Sequence, residues 1–291
     1  MTHFNIWLAG ARPRTLPAAV APILAGAAAA MHAGKVDLLL TVLALLVAAS
    51  LQVGVNYAND YSDGVRGTDE DRSGPLRITA SGLAEPRQVK IAAFLSFGLA
   101  AVFGLVIVVL TGQWWLLLVG ASCILAAWYY TGGKHPYGYI GLGEVFVFIF
   151  FGLVATVGTT FVNVLSAPWY AWFAGCAVGA TACAVLVGNN LRDIPTDQEV
   201  GKKTLAVRLG DAGTRRLYAA LVLLAAASVV AFAAGTTWWA LIALLGLGVI
   251  LEPLKLVLGG ATGKALIPVI QGTGMAGIGI GFGFLVGVFF A

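Results

Sequence analysis

Two short stretches of this chain place asparagine and aspartate side chains at the spacing of helix turns. Their members are Asn56, Asn59, Asp60 and Asp63 in the first stretch and Asn189, Asn190, Asp193 and Asp197 in the second. Residues three or four positions apart lie on one face of a helix, so each stretch can present two carboxylates to the same side. Both stretches contain the pattern Asn-x-x-x-Asp, offset by 133 residues, from position 56 to position 189. This offset indicates a weak internal repeat.

Two such faces turned towards each other would place four carboxylates around one cavity. These carboxylates would repel one another unless cations lay between them. Hard oxygen ligands suit Mg²⁺, which retains waters and bridges protein carboxylates to substrate phosphates. Basic residues accompany both stretches, namely Arg66, Arg72, Arg77, Arg192, Lys202 and Lys203. Acids and bases together at a helix end are expected for a metal–diphosphate site, with the four aspartates as metal ligands.

The alternative interpretation is that these loops are solvated and that their acids and bases form surface ion pairs. We favour that interpretation for Asp69, Glu70, Asp71, Glu199 and Asp211. The four aspartates of the repeated pattern are different, because carboxylates next to membrane-spanning segments are costly and usually functional.

The elements that carry these residues are predicted to be membrane-spanning helices. The chain has 291 residues, of which 59% are hydrophobic and 10% are charged, with a mean hydropathy of +0.91. A soluble domain has roughly 25% charged residues, so lipid must be the solvent for much of this surface. We find no basic run long enough to indicate nucleic-acid binding.

Spanning helices need about 20 mostly apolar residues. Nine segments of the sequence qualify, and together they predict an all-α, nine-helix membrane bundle in one domain over residues 1–291. The segments are 15–33, 38–58, 90–110, 114–131, 142–162, 168–188, 216–234, 237–254 and 266–290. The 38 glycines and many alanines predict close helix packing. Pro195 should kink or end the sixth helix, which would leave Asp197 just past it.

The loops between these nine segments carry a strong charge asymmetry. All of the 17 lysine and arginine residues except Lys35 fall on the side of the N-terminus. Loops rich in lysine and arginine face the cytoplasm. The sequence therefore predicts a multi-pass protein of the inner (cytoplasmic) membrane. Its N-terminus and both Asp stretches would lie at the cytoplasmic side, in cap loops after helices two and six, and its C-terminus outside.

At these residues the chain resembles the UbiA superfamily of intramembrane prenyltransferases, in which two Asp-rich motifs follow helices two and six of a nine-helix bundle. Longer strings resemble the branch that prenylates 1,4-dihydroxy-2-naphthoate in menaquinone synthesis. These strings are ARPRTLP at 11–17, NDYSDGVRGTD at 59–69, DRSGPLR at 71–77, YTGG at 130–133, GLGE at 141–144, NNLRD at 189–193 and GKKTLAVRLG at 201–210.

The resemblance implies a reaction and a set of partners. The donor would be an allylic polyprenyl diphosphate, and the acceptor an aromatic naphthoate that loses CO₂ when it is prenylated. The diphosphate would be held by Mg²⁺, and the tail would lie in a groove open to membrane lipid. Lys202 would stabilise the leaving diphosphate. The implied substrate contacts are Asn56, Asn59, Arg66, Arg72, Arg77, Lys134, Glu144, Asn189, Asn190 and Arg192.

One position departs from the pattern of the superfamily. The general spacing of the first motif is Asn-x3-Asp-x3-Asp, and Gly64 occupies the last position here. Either Asp63 or Asp69 would then complete the first metal site.

Two further residues have alternative interpretations. Lys134 is either a plain cytoplasmic anchor or a contact to diphosphate or acceptor. Glu144 either pairs with Lys134 or orients the hydroxyl groups of the acceptor.

Other function classes share some of these features. A secondary transporter also has intramembrane acids and internal repeats, but its acids lie near the middle of the bilayer. A related prenyltransferase could act on a hydroxybenzoate, haem, a chlorophyll precursor or a lipid phosphate. A non-catalytic scaffold leaves the repeated Asp pattern unexplained.

The charge asymmetry yields a prediction about topology. A cysteine placed by Ser73→Cys should resist an impermeant thiol reagent in intact cells and react once the cells are opened, because its loop faces the cytoplasm. The parent chain for this variant would have Cys123, Cys176 and Cys183 replaced. Ready labelling in intact cells would overturn the topology.

Overall fold

The computed structural model describes residues 2–68 and 76–291, so Asp69, Arg72 and Ser73 lie outside the described residues. Helices and turns make up the described chain, and it contains no strand. The helices are α1 His3–Ala11, α2 Pro17–His32, α3 Leu38–Arg66, α4 Pro86–Thr111, α5 Leu116–Tyr129, α6 Gly143–Val164, α7 Trp169–Glu199, α8 Leu205–Gly235, α9 Ala243–Gly248, α10 Leu251–Leu258 and α11 Ile267–Phe289. Short 3₁₀ turns lie at Pro13–Thr15, Tyr137–Ile140, Trp238–Ile242 and Gly263–Leu266. Within α6, Phe148–Val154 is a π-helical segment.

Local sequence explains where the long helices begin and end. The Asp37 carboxylate caps the start of α3 by accepting from the Leu40 N–H at 3.1 Å, which satisfies a donor that the first turn leaves unpaired. Gly67 ends α3 with a φ of 70°, a left-handed conformation that glycine adopts without steric cost. Pro86 stands at the first position of α4, where its missing N–H is not needed.

Six described helices, α3, α4, α6, α7, α8 and the helix of Gly263–Phe289, are long and apolar enough to cross a membrane. Two bent helix pairs also qualify if each pair is one span: Phe4–Thr15 with α2, bent by 46°, and Trp238–Gly248 with α10, bent by 48°. The shorter apolar helix α5 occupies the fourth predicted segment. Each predicted segment thus coincides with a helix or a bent pair, and the count of nine spans stays a prediction.

The two helices that carry the Asp motifs extend further than predicted. Helix α3 continues to Arg66 and α7 to Glu199, so both motifs lie on the last helical turns and not in loops. The prediction that Pro195 places Asp197 past the helix is wrong, because α7 continues through it. The Thr196 hydroxyl donates to the Asp193 carbonyl at 3.1 Å, and the Lys202 N–H donates to the Asp197 carbonyl at 2.8 Å. Proline removes one helical hydrogen bond, the one that would reach the Leu191 carbonyl, and α7 continues past that single loss to Glu199.

Helix α7 lies at the centre of the bundle. Of its most apolar stretch, 67% is buried inside the protein, against 22% for α3 and 28% for α4. Small residues allow the helices to approach closely, as predicted. A Cβ atom on Gly152 of α6 would lie 2.7 Å from the Gly179 Cα of α7, closer than carbon atoms can pack.

This contact predicts an effect on stability. Gly152→Ala should destabilise the protein by about 1–3 kcal/mol, because the added methyl group meets backbone that cannot rotate away. The matched control is Gly98→Ala on α4, where an added Cβ meets nothing within 4 Å. Thermal unfolding in detergent measures both variants, and equal midpoints would show that the α6–α7 contact is not close packed.

Candidate functional site: a cavity at the ends of α3 and α7

A cavity of about 1100 Å³ extends from the carboxyl ends of α3 and α7 into the apolar interior. Its deeper walls come from apolar residues of α3 to α6, such as Val47, Leu105, Val119 and Phe150. The volume is at the upper end for small-molecule sites, and the lining changes from charged to apolar along its length. This gradient fits an amphipathic ligand with an anionic head and a long apolar tail.

The polar end of the cavity is lined by five basic and three acidic side chains among the described residues. They are Arg12, Arg14, Arg77, Arg192 and Lys202 with Asp63, Asp193 and Asp197. The polar end therefore has an excess of positive charge. A cleft lined mainly by one sign of charge concentrates ligands of the opposite sign, here an anion.

Asp63 is the acidic centre of the first motif. It is 3% exposed, and its Oδ1 accepts from the Tyr139 hydroxyl at 2.5 Å. Its Oδ2 lies 3.7 Å from both the Arg77 Nη2 and the Lys202 Nζ. Three separate segments of the chain therefore meet at one carboxylate.

Tyr139 connects the two motifs, and the sequence did not single it out. Its carbonyl accepts from the Lys203 N–H at 2.9 Å, and its ring lies 4.7 Å from the Lys202 Nζ. Burial, and secondly the negative charge of Asp63, raise the pKa of Tyr139, so its hydroxyl stays protonated and donates. No spacing rule ties this residue to Asp63, because their contact depends on how the loop folds back.

The second motif places its carboxylates on the cavity wall as predicted. Asn189, Asp193 and Asp197 all line the cavity from one face of α7. The Arg192 guanidinium donates to both oxygens of Asp193, at 2.7 and 2.9 Å, and to the Asn189 Oδ1 at 2.8 Å. Paired hydrogen bonds of this kind hold a buried carboxylate in one orientation.

Asp60 does not lie with the other three aspartates. It is fully buried, it is absent from the cavity lining, and its two oxygens accept from the Ile78 and Thr79 N–H groups. The expectation of four carboxylates around one cavity is therefore wrong, and three are present. The cavity face of α3 contains Asn56, Asn59 and Asp63, which turns Asp60 to the side.

The other predicted residues divide into cavity and non-cavity positions. Asn56, Asn59 and Asn190 line the cavity with the residues already described. Arg66 does not, because its guanidinium donates to the carbonyls of Thr131 and Gly133 and holds that loop. Lys134 is exposed and off the cavity, and Arg72 lies outside the described residues.

Glu144 has a partner other than the predicted Lys134. It is 7% exposed, and its Oε1 accepts from the Asn190 Nδ2 at 3.0 Å. The predicted Glu144–Lys134 pair is therefore wrong. Burial favours a fixed hydrogen-bond partner over a mobile surface lysine.

The N-terminal segment contributes to the site, and the sequence did not predict this. Arg12 and Arg14 line the cavity, and the Asn56 Nδ2 holds their segment by donating to the Ala11 carbonyl and the Thr15 hydroxyl, both at 2.8 Å. These two arginines, directly before the first apolar segment, are therefore part of the cavity wall as well as a signal of membrane orientation.

The carboxylates that line the cavity are the candidate ligands of the predicted Mg²⁺. Among residues 2–68 and 76–291, no three His, Cys, Asp or Glu side chains form a group that could hold a metal ion alone. Asp63, Asp193 and Asp197 nevertheless supply hard oxygen ligands on one cavity. Mg²⁺ often takes one or two carboxylates and completes its shell with waters and substrate phosphates, so the residues fit.

Comparison with known proteins identifies the family. The model described as "UbiA prenyltransferase family" matches residues 19–260. This chain belongs to that family. It is 50% identical to the 1,4-dihydroxy-2-naphthoate octaprenyltransferase of Mycobacterium tuberculosis, over 95% of this chain and 94% of that protein.

Solved structures of the UbiA family share the fold at low sequence identity. The apo UbiA homolog of Aeropyrum pernix superposes with a TM-score of 0.73 at 15% identity, over 92% of this chain and 97% of that one. The UbiA homolog of Archaeoglobus fulgidus bound to DMAPP and Mg²⁺ superposes with a TM-score of 0.61 at 17% identity, over 96% and 99%. At these identities the likeness concerns the fold alone.

The contact between Tyr139 and Asp63 predicts a loss of stability. Tyr139→Phe should cost about 1.5–3 kcal/mol, the usual range for a hydrogen bond to a charged group. Exposed Tyr129→Phe is the control, and thermal unfolding is the measurement. Because the folded-state pKa of Tyr139 is raised, this contribution is present at neutral pH and is lost as the pH rises through that pKa. Equal midpoints for the two variants would argue against the contact.

Proposed function

We propose that this protein transfers a polyprenyl group from an allylic polyprenyl diphosphate to 1,4-dihydroxy-2-naphthoate, with loss of CO₂, in menaquinone biosynthesis. The observation that carries the proposal is the cavity, which joins a basic, carboxylate-lined end to a long apolar interior. The 50% identity to the M. tuberculosis enzyme over 95% of the chain favours the naphthoate acceptor.

The donor is proposed to bind with its diphosphate at the polar end and its tail among α3 to α6. Arg77, Arg192 and Lys202 lie beside the aspartates there and would contact phosphate oxygens. Arg12 and Arg14 add positive charge from the N-terminal segment. The role proposed for Arg72 rests on the sequence alone.

Asp63, Asp193 and Asp197 are proposed as the residues that would hold Mg²⁺. When bound, it would neutralise the charge that develops on the leaving diphosphate. The basic side chains act in the same direction through fixed charges already in place, which requires no reorganisation during the reaction. A lysine such as Lys202 acts as a compact point charge on phosphate.

The bond changes follow from this arrangement. The allylic C–O bond breaks, and its electron pair leaves with the diphosphate. The naphthoate carbon that bears the carboxylate forms the new C–C bond to the allylic carbon. The bond from that carbon to the carboxyl group then breaks, its electron pair returns to the ring, and CO₂ leaves. The apolar walls exclude water, which would otherwise capture the allylic cation.

Asn190 is proposed as the contact to the acceptor, with Glu144 positioning it. The Glu144 carboxylate accepts from the Asn190 amide NH₂, so the Asn190 Oδ1 remains for a hydroxyl group of the acceptor. Asn190 lines the cavity, whereas Glu144 lies behind it.

The cellular arrangement is proposed from sequence and helix lengths together. The whole chain, 1–291, would form one domain with nine spans in the inner membrane, of which α5 is the shortest. Its N-terminus and the polar end of the cavity would face the cytoplasm, where a water-soluble acceptor can enter.

The deciding experiment is an assay of the purified protein with naphthoate and with hydroxybenzoate, each with Mg²⁺ or with chelator. We expect a prenylated product and CO₂ only from naphthoate with Mg²⁺. Product from hydroxybenzoate instead would identify a related prenyltransferase with another acceptor. Absence of any diphosphate-dependent product would remove the proposal.

Loss of a cavity carboxylate should reduce turnover strongly. Asp197→Asn is expected to lower kcat/KM at least about a hundredfold, roughly 3 kcal/mol of transition-state stabilisation. Exposed Glu199→Gln, two residues further along α7, is the matched control and should remain within about twofold. Similar losses in both variants would point to damage at the helix end and not to the cavity.

The acceptor contact predicts a selective effect. Asn190→Ala should raise the KM for naphthoate about tenfold, because a hydrogen bond to the ring hydroxyl is lost. Glu144→Gln should raise the same KM to a smaller extent, since the new amide no longer fixes the orientation of Asn190. Steady-state kinetics with each substrate varied tests this, and an equal rise in the donor KM would contradict it.

A further inference from the structure

Asp60 has the type and spacing of a metal ligand but the surroundings of a structural anchor. It is 0% exposed. Its Oδ2 accepts from the Ile78 N–H at 3.0 Å, and its Oδ1 accepts from the Thr79 N–H at 2.8 Å. The Arg12 Nη2 lies 3.6 Å from Oδ2. Both oxygens are therefore engaged inside the protein.

We propose that Asp60 is a positioning residue, which fixes the segment of residues 77–80 and the N-terminal Arg12 against α3, and that it is not a ligand of the catalytic metal. The consequence of this role rests on the proposed function, because the two side chains that it positions, Arg77 and Arg12, line the end of the cavity assigned to the diphosphate.

The anchoring requires a carboxylate for a simple reason. Two adjacent backbone N–H groups point at Asp60, and a carboxylate accepts from both at once. An asparagine offers one acceptor and one donor, so it would set an NH₂ group against one of these donors. Arg12 offsets the charge that burial would otherwise make costly.

Gly64, one helical turn after Asp60, shows how closely this segment lies against α3. A Cβ atom at position 64 would lie 2.6 Å from the Thr79 Cγ2 and 3.2 Å from the Ala80 N. A larger residue, including the aspartate of the general motif, would displace the segment. Gly64 and Asp60 thus belong to one docking surface on α3.

The docking places Arg77 at the cavity. Ile78 is fully buried, and its carbonyl accepts from the Ala84 N–H at 3.0 Å, which closes the segment into a compact loop. Arg77 precedes this anchor directly, is 8% exposed and lies 3.7 Å from Asp63. Loss of the anchor would leave Arg77 free to move away from the polar end.

If Asp60 were instead a ligand of the metal, its carboxylate would need a different orientation. A ligand must direct an oxygen lone pair into the cavity, and Asp60, which is 0% exposed and absent from the cavity lining, would have to turn its carboxylate away from both backbone donors to do so. Those donors would then lie buried and unpaired, which is costly. Asp63 lines the cavity, and its partners Tyr139, Arg77 and Lys202 are side chains and not buried backbone N–H groups.

The test compares Asp60→Asn with Asp63→Asn in the full-length protein. Hydrogen exchange, followed by mass spectrometry without any substrate, should show the peptide over residues 76–84 exchanging about tenfold or more faster in Asp60→Asn only. Mn²⁺ binding at saturating inorganic diphosphate, followed by electron paramagnetic resonance, should weaken about tenfold or more in Asp63→Asn and less than about threefold in Asp60→Asn. Tenfold weaker Mn²⁺ binding in Asp60→Asn, or unchanged exchange, would overturn the proposal.

A second variant covers the case in which Asp60→Asn does not fold. Gly64→Ala displaces the same segment and leaves every carboxylate in place. It should also accelerate exchange over residues 76–84, leave Mn²⁺ binding within about threefold, and raise the donor KM. Normal exchange in Gly64→Ala would count against the docking surface. Hydrogen exchange and Mn²⁺ binding require no turnover. The positioning role of Asp60 can therefore fail while prenyl transfer is observed, and it can hold while prenyl transfer is not observed.

Discussion

The arrangement of the site depends on neutralising carboxylates that lie at the edge of an apolar bundle. A buried charge without a partner is strongly destabilising, and the two aspartates at the end of α3 recruit their donors from other parts of the chain. Asp60 recruits the segment after α3 and the N-terminus, and Asp63 recruits the loop before α6 and the loop after α7. The cap of the cavity is therefore held by two neighbouring acids, of which Asp63 also lines the cavity and Asp60 does not.

This coupling explains why the cavity changes from charged to apolar over a short distance. The acids and their partners occupy only the helix ends, whereas the deeper walls belong to segments composed almost entirely of apolar residues. Fixed charges next to a region without water interact more strongly than they would in bulk solvent. Under the proposed function, a diphosphate would be held at the charged end while the reactive carbon lay among apolar groups that cannot react with it.

The sequence alone predicted that the chain forms a helical bundle, and it predicted where in the bundle the site lies. Apolar length predicted all six long apolar helices and both bent helix pairs, and the repeated Asn-x-x-x-Asp pattern located the two helix ends that meet at the cavity. Contacts between segments that are far apart in the chain could not be predicted from the sequence. Helical spacing placed Asp60 and Asp63 on one side, but the segment at Ile78 and Thr79 decides which of them faces the cavity. Tyr139 and Arg12 reach the site through loop geometry, and α7 continues through Pro195 to Glu199, although proline usually kinks or ends a helix.

The internal repeat is unequal in a way that this docking explains. The offset of 133 residues relates Asp60 to Asp193 and Gly64 to Asp197. In the second copy both positions line the cavity, whereas in the first copy neither aligned position supplies a cavity carboxylate. A side chain at position 64 would collide with Thr79, so the face of α3 that corresponds to the Asp193–Asp197 face is covered by protein. Asn59 and Asp63 repeat the Asn-x-x-x-Asp spacing three residues later, and at an offset of 130 residues they match Asn189 and Asp193, all of which line the cavity. The first copy thus contains two overlapping patterns, of which one supplies the cavity carboxylate while Asp60 of the other holds the segment at Ile78 and Thr79.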